Sequence, residues 1–191
     1  MKKIVISILL VFFCAIASAQ INIQLSKVKM GEKAPEFQVE MTDGRTVKLS
    51  DLKGKVVCVY FYTTWCGPCR TGLSWAQKEI VERFAGKDFV YLPISRGEEK
   101  EKIKAFFEKQ GYKCASGLDV EGNIMAQYSD HGIPQYFLVG FDGELLCSQV
   151  GNYVVGVDGK TRLIDGYAGD EVVKLIETTL KKQPKHKSKQ F

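Results

Sequence analysis

The tightest constraint in this chain is the placement of Cys66 and Cys69, separated only by Gly67 and Pro68, at the seam between two hydrophobic patterns. Before them runs Val56-Val57-Cys58-Val59-Tyr60-Phe61-Tyr62, which has the length and the β-branched and aromatic content of a buried strand. After them Leu73, Ala76, Ile80 and Phe84 recur at intervals of three or four, as on one face of an amphipathic helix that begins near Pro68. The pair therefore lies at a strand-to-helix junction.

The first turn of a helix offers unpaired backbone N–H groups and the positive end of the helix dipole, and both favour a thiolate over a thiol. Cys66 is read as the exposed, attacking sulfur. Cys69, on the stripe of Leu73 and Ala76, faces inward and is less accessible. Cysteines at this spacing can close a small disulfide ring, so Cys66 can attack a partner's disulfide and Cys69 can resolve the mixed disulfide. Pro68 suits a first turn, which tolerates a missing N–H, and Gly67 puts no side chain in a partner's way. Trp65 shields the pair and shapes the surface around it, whereas Trp75, inside the helix, is read as packing. The other chemistry open to C-x-x-C is half of a zinc site, but tetrahedral zinc needs two further Cys or His ligands, usually as another close pair. The chain has no such pair, and His131 and His186 stand alone, so neither a metal nor a cofactor is expected.

Trp65-Cys66-Gly67-Pro68-Cys69 resembles the active-site motif of the thioredoxin superfamily, and Gly132-Ile133-Pro134 resembles its cis-proline loop. Together with the secretory start described below, the likeness is nearest to the TlpA-like thiol-disulfide oxidoreductases of the bacterial cell envelope and spans residues 30 to 182. It implies an α/β fold with a central mixed β-sheet flanked by helices and an N-terminal β-hairpin. The resemblance makes Pro134 a cis proline facing the dithiol and Ile133 the residue that offers its backbone to an extended substrate. The partners it implies are protein disulfides or dithiols, including those of apocytochromes, and a membrane thiol protein that donates electrons. Gly67-Pro68 resembles the reducing thioredoxins more than the strongly oxidising members.

Two positions depart from the pattern. Cytoplasmic thioredoxins place a buried Asp six residues before the first active-site Cys, where this chain has Tyr60. Reductases specialised for cytochrome maturation carry a Glu three residues after the second Cys, where this chain has Gly72. A water or a carboxylate distant in sequence is left to accept the proton of Cys69.

Met1-Lys2-Lys3, the apolar run to Ile16 and Ala17-Ser18-Ala19 have the three regions of a secretory signal peptide cleaved after Ala19. An uncleaved anchor needs about 20 apolar residues to span a bilayer, and lipidation at Cys14 expects smaller residues than Val11-Phe12-Phe13 before it. Export to the periplasm or cell envelope is therefore expected, with membrane anchoring as the minor alternative. The formal net charge of +5 comes from the ends: two lysines lie in the signal and five from Lys181 to Lys189, leaving the body at −2. That balance gives no nucleic-acid surface. The basic stretch over residues 183–191 reads as a solvated terminus.

With 191 residues the chain suits one domain, placed over 34–182 after a leader at 20–33. Pro35 to Glu40 and Arg45 to Leu49 alternate around Thr42-Asp43-Gly44 as a hairpin. Asp88 to Ile94 reads as a second inner strand ending near Pro93, joined to the first by a right-handed crossover. Glu98 to Gln110 reads as a surface helix with Ile103, Phe106 and Phe107 inward and Glu98 spaced to pair with Lys102. Residues 112–123 look like loop, followed by a short helix at Ile124 to Tyr128. Gln135 to Phe141 and Glu144 to Val150 form a hairpin about Asp142-Gly143, and the long segment from Gly151 to Gly169 can be read as an extra hairpin about Asp158-Gly159. The last helix, from Asp170 to Lys182, buries Val172, Leu175, Ile176 and Thr179.

Cys58 and Cys147, in strands, are expected to be buried and inert, while Cys114, in a polar loop, is open to pairing or to remaining free. His131 reads as a surface residue. Three rival functions are weighed. A peroxidase of the peroxiredoxin type expects a Pro where Tyr60 stands; a disulfide-forming oxidant shares the motif; a copper chaperone expects C-x-x-x-C with a later His. The segment from Gly151 to Gly169 is also open to a redox-inactive binding role. Nothing in the sequence sets an oligomeric state.

Overall fold

The computed structural model describes residues 26–164 and 169–183. The signal peptide expected at 1–19, the first part of the leader and the terminus beyond Gln183 lie outside the described residues. In chain order the elements are β1 (Gln38–Met41), β2 (Thr46–Lys48), a 3-10 turn (Leu49–Leu52), β3 (Val56–Tyr62), α1 (Gly67–Ala76) continued by a π-helical stretch (Gln77–Glu82), and β4 (Phe89–Arg96). Then come α2 (Lys100–Gln110), β5 (Gly117–Asp119), α3 (Asn123–Tyr128), β6 (Gln135–Val139), β7 (Leu145–Val150), β8 (Tyr153–Gly156), β9 (Thr161–Leu163) and α4 (Gly169–Lys181).

All seven residues of β3 are buried, because the strand runs through the middle of the sheet with layers on both faces. Its alternation divides the core. Val57, Val59 and Phe61 pack with α3, the β1–β2 hairpin and the N-terminal segment, whereas Val56, Cys58, Tyr60 and Tyr62 pack with α1, α2 and α4. The stripe read from sequence, Leu73, Ala76, Ile80 and Phe84, is buried along its whole length, through the change from α to π geometry.

The nine strands form one mixed sheet in the order β2-β1-β5-β4-β3-β6-β7-β8-β9. β4 pairs parallel to β3 and β6 pairs antiparallel to it, so the expected mixed α/β architecture with its N-terminal hairpin is present. The segment expected to be loop contains β5. It is only three residues, Gly-Leu-Asp, too short to show alternation, and it exists because β1 and β4 clamp it from both sides. A Cβ on Gly117 would lie 2.8 Å from a methyl of Val39 and 3.1 Å from Ile94, so only glycine fits between them. Asp119 ends the strand and accepts from the backbone N–H groups of Ile124 and Met125, at 3.0 and 2.9 Å, which fastens the start of α3.

β4 also runs on to Arg96 instead of stopping near Pro93. Pro93 is tolerated because its carbonyl side faces Ser116 Oγ, before the pairing with β5 starts at Ile94. The extra hairpin exists as β8–β9 and lengthens the sheet at its far edge. Among the described residues no helix is long and apolar enough to cross a membrane.

Residues 26–33 lie on the body of the fold: Lys27 N–H donates to Tyr128 O, Gly31 N–H to Leu145 O, and Leu145 N–H returns a bond to Glu32 O. Met30 is buried in the core on that face. Met30→Ala should therefore cost about 2–4 kcal/mol in urea unfolding; a loss of only a few tenths would mean that this segment rests on the surface without holding it.

Candidate active site

The turn Thr63 to Cys66 connects the end of β3 to α1, and Cys66 is the N-cap of that helix. The N–H of Cys69 donates to Cys66 Sγ at 3.3 Å, so a sulfur accepts the orphan helix-start donor that a Ser or Asp usually takes. Pro68 sits in the first turn, and the space over Gly67 is open. Cys66 is half-buried, Cys69 is fully buried, and both are free thiols. Burial first, then the hydrogen bond with Cys66, pushes the Cys69 thiol far up, while a backbone contact with Thr63 pulls it slightly down. The structure thus separates two sulfurs by access while keeping them in contact.

The surroundings place the other sequence-predicted residues. Trp65 is 71 % exposed and stands out beside Cys66. The Ile133–Pro134 bond is cis, and Ile133, like Cys66, packs at the margin of the core cluster on the α1 face. Trp75 is half-buried along the exposed side of α1. His131 is exposed. Cys58 and Cys147 flank Leu138 on neighbouring strands, two strand spacings or about 9–10 Å apart, which is beyond disulfide reach. Burial drives the thiol of Cys58 far up and that of Cys147 up to about 12. Both are inert at neutral pH. Cys114 is free and half-buried, its thiol raised by burial to about 11.

Tyr60 and Gly72, the two departures from the family pattern, prove to be a single feature. Tyr60 OH donates to the carbonyl of Cys69 at 3.1 Å, and its ring stacks on Tyr136 with centroids 4.1 Å apart. A Cβ at residue 72 would come within 2.4 Å of that hydroxyl. Tyr136 OH donates in turn to Gly72 O at 3.5 Å. Two tyrosines thus fill the volume behind Cys69 and bind α1 by its carbonyls, and the helix must be bare at residue 72 to admit them.

Sequence reasoning missed Glu98, reading it only as a helix partner of Lys102. Its carboxylate is buried just after β4 and accepts from Thr64 N–H at 2.7 Å, Thr64 Oγ1 at 2.6 Å, Ser95 Oγ at 2.8 Å and Lys102 Nζ at 2.7 Å. Burial raises its pKa, but the bonds from Lys102, Thr64 and Ser95 outweigh that and hold it below the usual carboxylate range. Glu98 therefore fixes the turn two residues ahead of Cys66. The available signal was an acid following a buried strand with a hydroxyl at Ser95.

Two measurements check these contacts. Gly72→Ala should lose about 1–3 kcal/mol, and adding Tyr60→Phe should restore part of that loss, giving a non-additive cycle; strict additivity would show that the hydroxyl does not set the clash. Glu98→Gln should lose about 1.5–3 kcal/mol at neutral pH. Because the folded carboxyl titrates below its unfolded value of about 4.3, its contribution is full above that pH and fades as pH falls through the folded pKa, so wild type and variant should converge in acid.

The AhpC/TSA family model matches residues 30–146. Thiol-disulfide oxidoreductase ResA of Bacillus subtilis (strain 168) is 29 % identical over 142 residues, covering 73 % of this chain and 79 % of that protein. A candidate protein disulfide isomerase of Bacteroides thetaiotaomicron superposes with TM-score 0.70 at 32 % identity, over 82 % of this chain and 93 % of the other. A candidate thiol:disulfide interchange protein DsbE from Chlorobium tepidum superposes with TM-score 0.66 at 25 % identity, over 81 % and 99 %. The matched residues carry β3, the cysteine turn, α1 and the cis-proline loop, and on that ground the chain belongs to the AhpC/TSA family, thioredoxin-like in fold, and is a thiol-disulfide oxidoreductase.

Proposed function

We propose that this protein is an exported reductase of protein disulfides, with Cys66 as nucleophile and Cys69 as resolving thiol. The observation that carries the roles is the asymmetry of the pair: Cys66 Sγ is half-exposed at a helix N-cap, and Cys69 is buried within hydrogen-bonding distance of it. The Cys66 thiolate attacks one sulfur of the substrate disulfide, forming a mixed disulfide and expelling the other sulfur as a thiolate, which takes up a proton. Cys69, losing its proton, attacks Cys66 Sγ and releases the second substrate thiol. The substrate gains two electrons and two protons, and Cys66–Cys69 becomes a disulfide. A membrane thiol protein then returns the electrons.

Trp65, Gly67, Pro68, Ile133 and Pro134 form the surface on which substrate lies in this reading. The bare approach over Gly67 lets a chain come close to Cys66, and Ile133 offers backbone for strand-like pairing. The signal-peptide pattern over 1–19 supports the periplasm or cell envelope as the place of the reaction, with residues 34–182 as the reacting domain. The names of the relatives, a thiol-disulfide oxidoreductase and a thiol:disulfide interchange protein, support disulfide exchange as the reaction, and an apocytochrome disulfide is one substrate that the resemblance to the TlpA-like group implies. The peroxidase reading is the weaker one, because Tyr60, where that class expects a proline, is built into the packing behind Cys69.

Cys69→Ser should trap a mixed disulfide at Cys66 with a disulfide-bonded peptide, and Cys66→Ser should trap none; trapping through Cys114 would overturn the assignment. A potential for the pair near thioredoxin's value of about −270 mV supports a reductant, whereas one near the strong periplasmic oxidant's value of about −120 mV reverses the direction of electron flow.

A further inference from the structure

A groove of about 570 Å³ runs along the exposed side of α1 from Gly67, inside the cysteine motif, past Arg70, Trp75 and Lys78, and is closed on its other side by Gln110 and Tyr112 at the end of α2. Among the described residues no carboxylate lines it. Its two cations differ from their neighbours. Arg83 is held by Glu79 and Glu177, and Lys113 by Glu82, whereas Arg70 and Lys78 have no ion-pair partner among the described residues. Arg70 is nonetheless placed, its guanidinium lying over the Phe106 ring at 5.9 Å from the centroid. Phe106 is itself packed edge-on to Tyr112.

Resting on the exchange chemistry above, we propose that this groove seats an acidic segment of the protein whose disulfide reacts at Cys66. Arg70 and Lys78 are eight residues apart on one helix, so about 12 Å separates them along its axis. An extended chain advances about 3.3 Å per residue with side chains alternating between faces, so carboxylates four residues apart lie on one face and match that separation. Trp75 and Tyr112 give flat apolar walls for the side chains between. The groove opens at Gly67, so a chain lying in it continues to the sulfur without a gap. The cations at the groove therefore select among disulfides by the residues beside them, separately from the chemistry at the cysteines.

The test uses two disulfide-closed peptides of one sequence, with Glu or with Gln at paired positions four apart beside one cysteine. The rate at which each oxidises the reduced protein is followed by acid quench and mass. The Glu peptide should react about threefold to tenfold faster at low ionic strength, the scale of two solvent-exposed ion pairs, and the advantage should vanish in high salt. In Arg70→Glu/Lys78→Glu the order should reverse, and in the milder Arg70→Gln/Lys78→Gln it should flatten. Equal rates in wild type, or a preference that survives both variants, overturns the groove assignment. Failure of both peptides to react with wild type instead overturns the exchange reading itself.

Discussion

The complete burial of β3 is the constraint on which the rest depends. A strand with seven apolar side chains alternating to two faces must be covered on both, and it obtains that cover from α3 with the N-terminal segment on one side and from α1, α2 and α4 on the other. The chain leaving β3 therefore emerges at the rim of a packed sandwich and must turn at once to bring α1 back over it. Thr63 to Cys66 make that turn, and the Glu98 carboxylate holds it through the backbone N–H and the hydroxyl of Thr64. The Cys66 sulfur is held at a fixed place by the same packing that holds the domain together.

Where the wider family pattern has carboxylates near the resolving cysteine, this chain has a stack of tyrosines. Tyr60, Tyr62, Tyr91 and Tyr136 gather on the α1 face, with Tyr60 at the centre of the stack. The hydroxyls of Tyr60 and Tyr136 donate to carbonyls of α1, and that of Tyr62 pairs with Ser116 Oγ. The buried acid beside this turn is Glu98, which four donors satisfy. Fully bonded and held ionised, Glu98 is suited to fixing geometry and poorly suited to trading a proton.

What was legible in the sequence was what repeats or punctuates. β3 and the α1 stripe announced themselves by run and by period, the hairpins by Asp-Gly turns, and the cysteine pair by its place between them. β5 was hidden because Gly117, Leu118 and Asp119 carry no pattern of their own and are strand only by virtue of β1 and β4. Pro93 misled because the cost of a missing N–H depends on which side of the strand is paired, and that is settled by the later arrival of β5. Glu98 and the Tyr60–Gly72 fit were invisible for a related reason. Each is a contact across the fold, and each residue taken alone has an ordinary explanation. That both departures from the family pattern occurred together was the one available hint that they were coupled.

The distribution of charge then separates what the interior decides from what the rim decides. Inside, the polar groups that fix the turn and the helix are satisfied within the chain: Glu98 by four donors, Asp119 by the start of α3, Tyr60 by Cys69 O. These contacts set where the sulfurs lie and how they differ in access, and a substrate cannot alter them without unpacking the sheet. Outside, Trp65 projects beside Cys66, and Arg70 and Lys78 line the one flank of α1 on which neighbouring cations are matched and these two are not. An exchange enzyme with a fixed interior and an unmatched rim keeps its chemistry constant while its choice of partner is written in a few exposed side chains of one helix, which can change without disturbing the core stripe of Leu73, Ala76, Ile80 and Phe84 on the opposite side.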